Sequence, residues 1–110
     1  MSAQPISPEL LACIAERFKA IAEPARLHIL HSLRPGELTV SQLVELTGMG
    51  QANVSKHLQI LHTHGFVTRR KRGLFTLYRV ADRDIFRLCD IMCGHLERDA
   101  AARRRLLTAG

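Results

Sequence analysis

No acidic residue occurs between Glu45 and Asp82. That stretch holds Lys56, Arg69, Arg70, Lys71, Arg72 and Arg79, and the remaining ten basic residues are balanced by all ten acidic ones. The whole net charge of +6 therefore lies in one continuous segment, as expected of a surface that meets nucleic acid. Several other features are missing. No apolar run approaches the roughly 18–20 residues of a membrane span. Met1 to Pro8 lacks the basic, apolar and cleavage regions of a secretory signal, so a cytoplasmic protein with no membrane partner is expected. There is no internal repeat and no low-complexity segment. No glycine-rich phosphate loop is present. The cysteines number three (Cys13, Cys89 and Cys93), an odd count that argues against a secreted disulfide framework. No credible catalytic triad emerges. His95 follows Cys93 by two residues, which puts the pair on different faces of a helix, so an enzyme is not expected.

The length of 110 residues suits one domain, 1–110, and the charged fraction of 24% is that of an ordinary globular protein. A first helix is predicted from about Pro8 to Ala22, capped by Ser7, with Pro8 in the first position and Glu9 at the positive end. Leu10, Ile14, Phe18 and Ile21 recur along it at helical spacing. A second helix runs from about Pro24 to Leu33, with Leu27, Leu30 and Leu33 as its stripe, and Pro35-Gly36 breaks the chain. A third begins near Val40 with Thr39 as cap, and Leu43, Val44 and Leu46 supply its apolar side. Gly48-Met49-Gly50 is a tight turn. A fourth helix spans about Gln51 to His64, and Gly65 can end it in a left-handed cap. Strands are predicted over Phe66–Arg70 and Leu74–Val80, joined by a turn at Lys71-Arg72-Gly73. A last helix starts near Asp82 and reaches about Leu106, with Ile85, Leu88, Cys89, Met92 and Leu96 as its apolar residues.

The order α-α-α-α-β-β-α is mainly helical with a β-hairpin, which defines a winged helix-turn-helix. In the fourth helix Val54, Leu58 and Leu61 recur at i, i+4 and i+7. With that stripe inward, Asn53, Ser55, Lys56 and Gln59 reach outward, and Gln51 can reach a groove from the helix start. Amides pair with adenine edges, lysine reaches guanine or phosphate, and Ser55 and His57 can bond phosphates or bases. On the hairpin, Arg69, Arg70, Lys71 and Arg72 suit phosphate contact or a minor groove. Double-stranded DNA is the expected partner. A different use of the same module, in RNA binding or protein assembly, predicts no preference among duplex sequences.

Three passages carry a resemblance: Ala22-Glu23-Pro24-Ala25-Arg26-Leu27-His28-Ile29-Leu30, Val54-Ser55-Lys56-His57-Leu58-Gln59-Ile60-Leu61, and Gly65-Phe66-Val67 leading to Arg72-Gly73 and Tyr78-Arg79-Val80. The chain resembles the ArsR/SmtB family of bacterial repressors along nearly all its length. The resemblance implies a homodimer joined by the first and last helices, binding to a palindromic operator, and release by an inducer. A two-fold dimer reads two half-sites, and the apolar seam of the last helix has no obvious partner within so short a chain.

The resemblance also implies sites for that inducer. A Cys-x-Cys pair at the start of the third helix is replaced by Thr39 and Ser41, whose hydroxyls are poor ligands for soft metals. A zinc pattern across the last helices falls on Asp82, Asp84, His95 and Arg98, and Arg98 cannot bind a cation. Zinc is therefore the weaker expectation, with Asp82, Asp84 and His95 as its ligands. Cys89 and Cys93 are four apart on one helix face, and the resemblance places Cys13 beside them. Trivalent arsenic or antimony is the leading expectation there. Oxidants or reactive sulfur species are the alternative, and plain packing a third reading.

Overall fold

A computed structural model describes residues 5–108. Eight elements follow one another: α1 (Pro8–Ile21), α2 (Pro24–Ser32), β1 (Leu38–Thr39), α3 (Val40–Thr47), α4 (Gln51–Thr63), β2 (Val67–Arg72), β3 (Phe75–Val80) and α5 (Asp84–Thr108). The winged helix-turn-helix expectation holds, with one strand more than the sequence suggested.

Local chemistry explains most of the boundaries. The Ser7 hydroxyl accepts from the Leu10 amide at 3.1 Å and starts α1 with Pro8 in its first turn. Thr39 and Gln42 form a reciprocal capping box on α3: Thr39 Oγ1 accepts from the Gln42 amide at 3.2 Å, and the Thr39 amide donates to Gln42 Oε1 at 2.8 Å. The α4 helix ends at Thr63, and Gly65, two residues on, turns the chain out of it with φ 76°, while the Phe66 amide bonds back to the Leu61 carbonyl at 2.8 Å. Asp82, expected to cap the start of the last helix, lies just ahead of α5, and its carboxylate accepts from the Asp84 amide at 2.9 Å.

The sheet order is β1-β3-β2, all antiparallel. β1 pairs Leu38 with Tyr78 and Thr39 with Leu77, so the hairpin is anchored immediately before α3. Two residues with no periodicity of their own gave no signal in the sequence. The turn also moves. It was expected at Lys71-Arg72-Gly73, but β2 continues through Arg72, which pairs with Phe75. Gly73 at φ 62° and Leu74 then make the two-residue loop, because a tight hairpin turn requires positive φ at its first central position.

The core joins α2, α3, α4, β2 and the start of α5: Ile29, Leu30, Leu33, Leu43, Val54, Leu58, Leu61, Val67, Ile85 and Phe86. Ile29 and Phe86 were not anticipated. His31 meets Phe86 edge-on with ring centroids 5.2 Å apart, and Arg34 and Arg83 cover its ring, so Phe86 pins α5 to α2. Six of the apolar positions expected in the helices are exposed: Leu10, Phe18, Leu46, Leu88, Met92 and Leu96. Beyond its first turn α5 buries no residue, and the described residues measure 62 × 41 × 22 Å. Their radius of gyration of 17.7 Å exceeds the roughly 13 Å typical of a compact chain of this size.

Leu58 is fully buried in the middle of α4. Leu58→Ala is expected to lower unfolding free energy by about 2–5 kcal/mol, read from urea denaturation. Leu46→Ala, at an exposed position of α3, should cost less than about 1 kcal/mol.

Candidate nucleic-acid interface

The turn between α3 and α4 is fixed from both sides. Gly48 takes φ 74° and its amide bonds to the Val44 carbonyl at 2.9 Å. The Thr47 hydroxyl donates to the Leu43 carbonyl at 2.6 Å and accepts from the Met49 amide at 3.3 Å. Gly50 then enters α4 in extended conformation, and Val54, Leu58 and Leu61 on α4 are wholly buried. Burial of that stripe aims the rest of the helix. Gln51, Asn53, Ser55, Lys56 and Gln59 are exposed, and His57 is half-buried.

These polar residues are not equally free. Gln59 is held at both ends of its amide, accepting from Arg69 Nη1 at 3.3 Å and donating to the Thr63 hydroxyl at 3.3 Å. The contact with Arg69 ties α4 to the wing. His57 Nδ1 lies 3.2 Å from Nη1 of Arg26, and burial, with Arg26 next in weight, holds its pKa below the ordinary imidazole value. Asn53, Ser55 and Lys56 have no side-chain hydrogen bond among the described residues.

The wing carries Arg69, Arg70, Lys71 and Arg72 on β2, all exposed. Arg70 is engaged by Glu37, in the connection just before β1: Nε donates to Oε2 at 2.7 Å and Nη2 to Oε1 at 2.8 Å. The bidentate bond to Arg70 holds the Glu37 carboxyl below the usual carboxylate range. The pair is thus present at neutral pH and is lost only as pH falls through that lowered value. The acid-free stretch of sequence is not acid-free in space, because Glu37 folds onto it. Lys71 and Arg72 flank an apolar wing tip, where Leu74 is fully exposed and Phe75 largely so. The tip was not singled out in the sequence, since a leucine beside a glycine carries no charge signal.

The positions implied for an inducer are less well assembled. Among the described residues no three His, Cys, Asp or Glu side chains gather as a metal site. Thr39 is consumed in its capping box. Asp82 bonds the Asp84 amide and Asp84 pairs with Arg87 at 3.4 Å, so two of the proposed zinc ligands are already engaged. Cys13 and Cys93 are exposed and Cys89 is half-buried. Cys93 donates to Glu97 Oε1 at 3.5 Å, a bond that pushes its pKa up. Burial, followed by the charge of Asp90, raises that of Cys89. Neither the zinc set nor the three-cysteine set forms within one protomer.

A buried helix-turn-helix beside a basic hairpin places the chain in the class of winged helix-turn-helix DNA-binding proteins. The arsR family of bacterial regulatory proteins matches residues 23–69. The chain is 36% identical over 93 residues to the HTH-type transcriptional regulator NmtR of Mycobacterium tuberculosis, spanning 84% of this chain and 78% of that one. It is 32% identical to the arsenical resistance operon repressor of Bacillus subtilis, over 70% of this chain and 74% of that one. The crystal structure of Mycobacterium tuberculosis Rv0081 superposes with a TM-score of 0.78 at 33% identity, covering 88% of this chain and 98% of Rv0081. The homodimeric winged helix-turn-helix domain of Mycobacterium bovis Mb0332, a possible ArsR-family regulator, gives 0.72 at 34%, covering 88% and 91%. The protein belongs to the ArsR/SmtB family and is a DNA-binding transcriptional regulator.

Salt dependence separates free from engaged cations. Lys56→Ala should make the slope of log affinity against log salt shallower by about 0.9, one counterion. Glu37→Gln frees Arg70 and should steepen it by a similar amount. Both are read by fluorescence anisotropy on a duplex across a potassium chloride series.

Proposed function

We propose that the chain is an inducible repressor. Residues 1–110 form one winged-helix unit that pairs with a second copy through α1 and α5. The dimer places two α4 helices in successive major grooves of a palindromic operator. Gln51, Asn53, Ser55, Lys56, His57 and Gln59 face the DNA from α4, and Lys71 and Arg72 face it from the wing. Arg70 serves mainly to hold the wing against Glu37. The observation that carries this reading is the division of the molecule: polar and basic residues on α4 and β2, apolar ones on the outer helices. Leu10, Leu11 and Phe18 of α1 and Leu88, Ile91, Met92 and Leu96 of α5 are all about half or more exposed. Apolar surface on that scale marks an interaction site. The relatives' names as regulators and repressors favour duplex DNA over RNA or protein assembly, and a regulator over an enzyme.

For the inducer, Cys89 and Cys93 on α5 fit trivalent arsenic best. A thiol can condense with arsenous acid as it stands: each new As–S bond releases one water, made from the thiol proton and an arsenic hydroxyl. Two such bonds use Cys89 and Cys93, and a third draws on Cys13 or on a cysteine of the second copy. Oxidants and persulfide donors need the thiolate as nucleophile, and the surroundings of Cys89 and Cys93, burial for the first and the Glu97 bond for the second, shift both thiols away from that form. Pulling the α5 seam together favours a dimer geometry in which the α4 helices no longer match the operator.

Two measurements check these points. Ile91→Glu, in the exposed seam, should convert the dimer to monomer in analytical ultracentrifugation and lower operator affinity more than tenfold. The operator, a palindrome obtained by selection from random DNA, is then held by wild-type protein and titrated with arsenite, zinc and a persulfide donor. Arsenite alone is expected to release it. Cys89→Ser and Cys93→Ser should each raise the arsenite required by more than tenfold. Release that neither substitution affects would remove the cysteines from the mechanism.

A further inference from the structure

Arg26 lies in the first turn of α2 and is half-buried. Its Nε donates to the Ala20 carbonyl and its Nη2 to the Lys19 carbonyl at 3.3 Å, both at the end of α1. Its remaining branch, Nη1, meets His57 Nδ1 on α4 at 3.2 Å. A guanidinium has five N–H donors and no acceptor. His57 Nδ1 must therefore be the accepting nitrogen, and the ring proton must sit on Nε2. The same geometry disfavours a doubly protonated ring, which would set one N–H against another. The charges around the ring agree. Burial, Arg26 and Lys56 lower its pKa, with only Glu23 acting in the opposite sense.

Nε2 has no protein partner among the described residues. No buried side-chain nitrogen or oxygen there lacks a partner either, so Nε2 is not sealed from solvent. His57 stands one helical turn after Asn53 and directly after Lys56, both exposed. We propose that Arg26 is a positioning residue: it fixes His57 in the Nε2–H tautomer, so that α4 offers a neutral hydrogen-bond donor to a DNA phosphate oxygen, and it ties that donor to the end of α1. This rests on the reading of α4 as the helix that meets DNA. A neutral donor displaces no counterion, so its contribution is insensitive to salt, unlike that of Lys56.

The tautomer is read directly from long-range 1H–15N correlations of the labelled, full-length protein at neutral pH. The expected pattern has the proton on Nε2 in wild type and a mixture of tautomers in Arg26→Leu. Affinity for the selected operator is then measured at several salt concentrations. His57→Ala should weaken binding about 5–10-fold with an unchanged salt slope. His57→Gln, whose amide nitrogen can reach the Nε2 position, should stay within about twofold of wild type. Arg26→Leu should weaken binding in the wild-type background and add little to His57→Ala, because it acts through that ring. A wild-type ring protonated on Nδ1 would overturn the inference without any variant needing to fold. So would an equal effect of Arg26→Leu in both backgrounds, or a slope that changes with His57→Ala. Wild-type protein with no preference among duplex sequences would instead overturn the reading of α4 itself, and this inference with it.

Discussion

Burial of Val54, Leu58 and Leu61 is the constraint on which the rest of the molecule depends. These three side chains lock the rotation of α4 about its own axis. Every polar residue between them then has a fixed direction, because a helix rotates by 100° per residue. The glycine turn ahead of α4 and the glycine cap behind it fix where the helix starts and stops. The polar face is thus rigid before any partner arrives, which reduces the ordering cost of binding.

A second layer of constraint is polar and links separate elements. Glu37 grips Arg70 across 33 positions, Arg69 reaches Gln59, and Arg26 spans from α1 to α4. Each uses an arginine rather than a lysine, and in Arg70 and Arg26 the planar fork holds two acceptors in one geometry. The free cations, Lys56 and Lys71 among them, are left for long-range attraction. Part of the basic composition is therefore scaffolding, and part is interface.

Much of this was legible in the chain because it is local. Ser7, Thr39, Gly48 and Gly65 mark helix ends through bonds to residues a few positions away, and the stripe of α4 follows from periodicity alone. What was not legible depends on distant partners. β1 exists only because β3 lies beside it, and Arg70 is neutralised only because Glu37 comes from another element. Phe86 was missed because its burial depends on His31, Arg34 and Arg83 closing around it. The stripes of α1 and α5 were read correctly as apolar, but only their ends, Ile21 and Ile85, meet the core of their own protomer, while Leu10, Phe18, Leu88, Met92 and Leu96 stay exposed. The cysteines were read as a converging trio, and a single copy does not bring them together.

The outer reach of α5 has a further consequence for how much of this protein a cell keeps. A helix with no buried residue after Phe86 has little to hold it closed except a second copy. In the proposed dimer a second copy conceals that apolar face, while a solitary chain leaves it open to proteases. Degradation would then fall mainly on the unpaired fraction. On that proposed pairing the supply of active regulator would rise more steeply than synthesis at low copy number, and the shape of the fold would act as its own threshold on dosage.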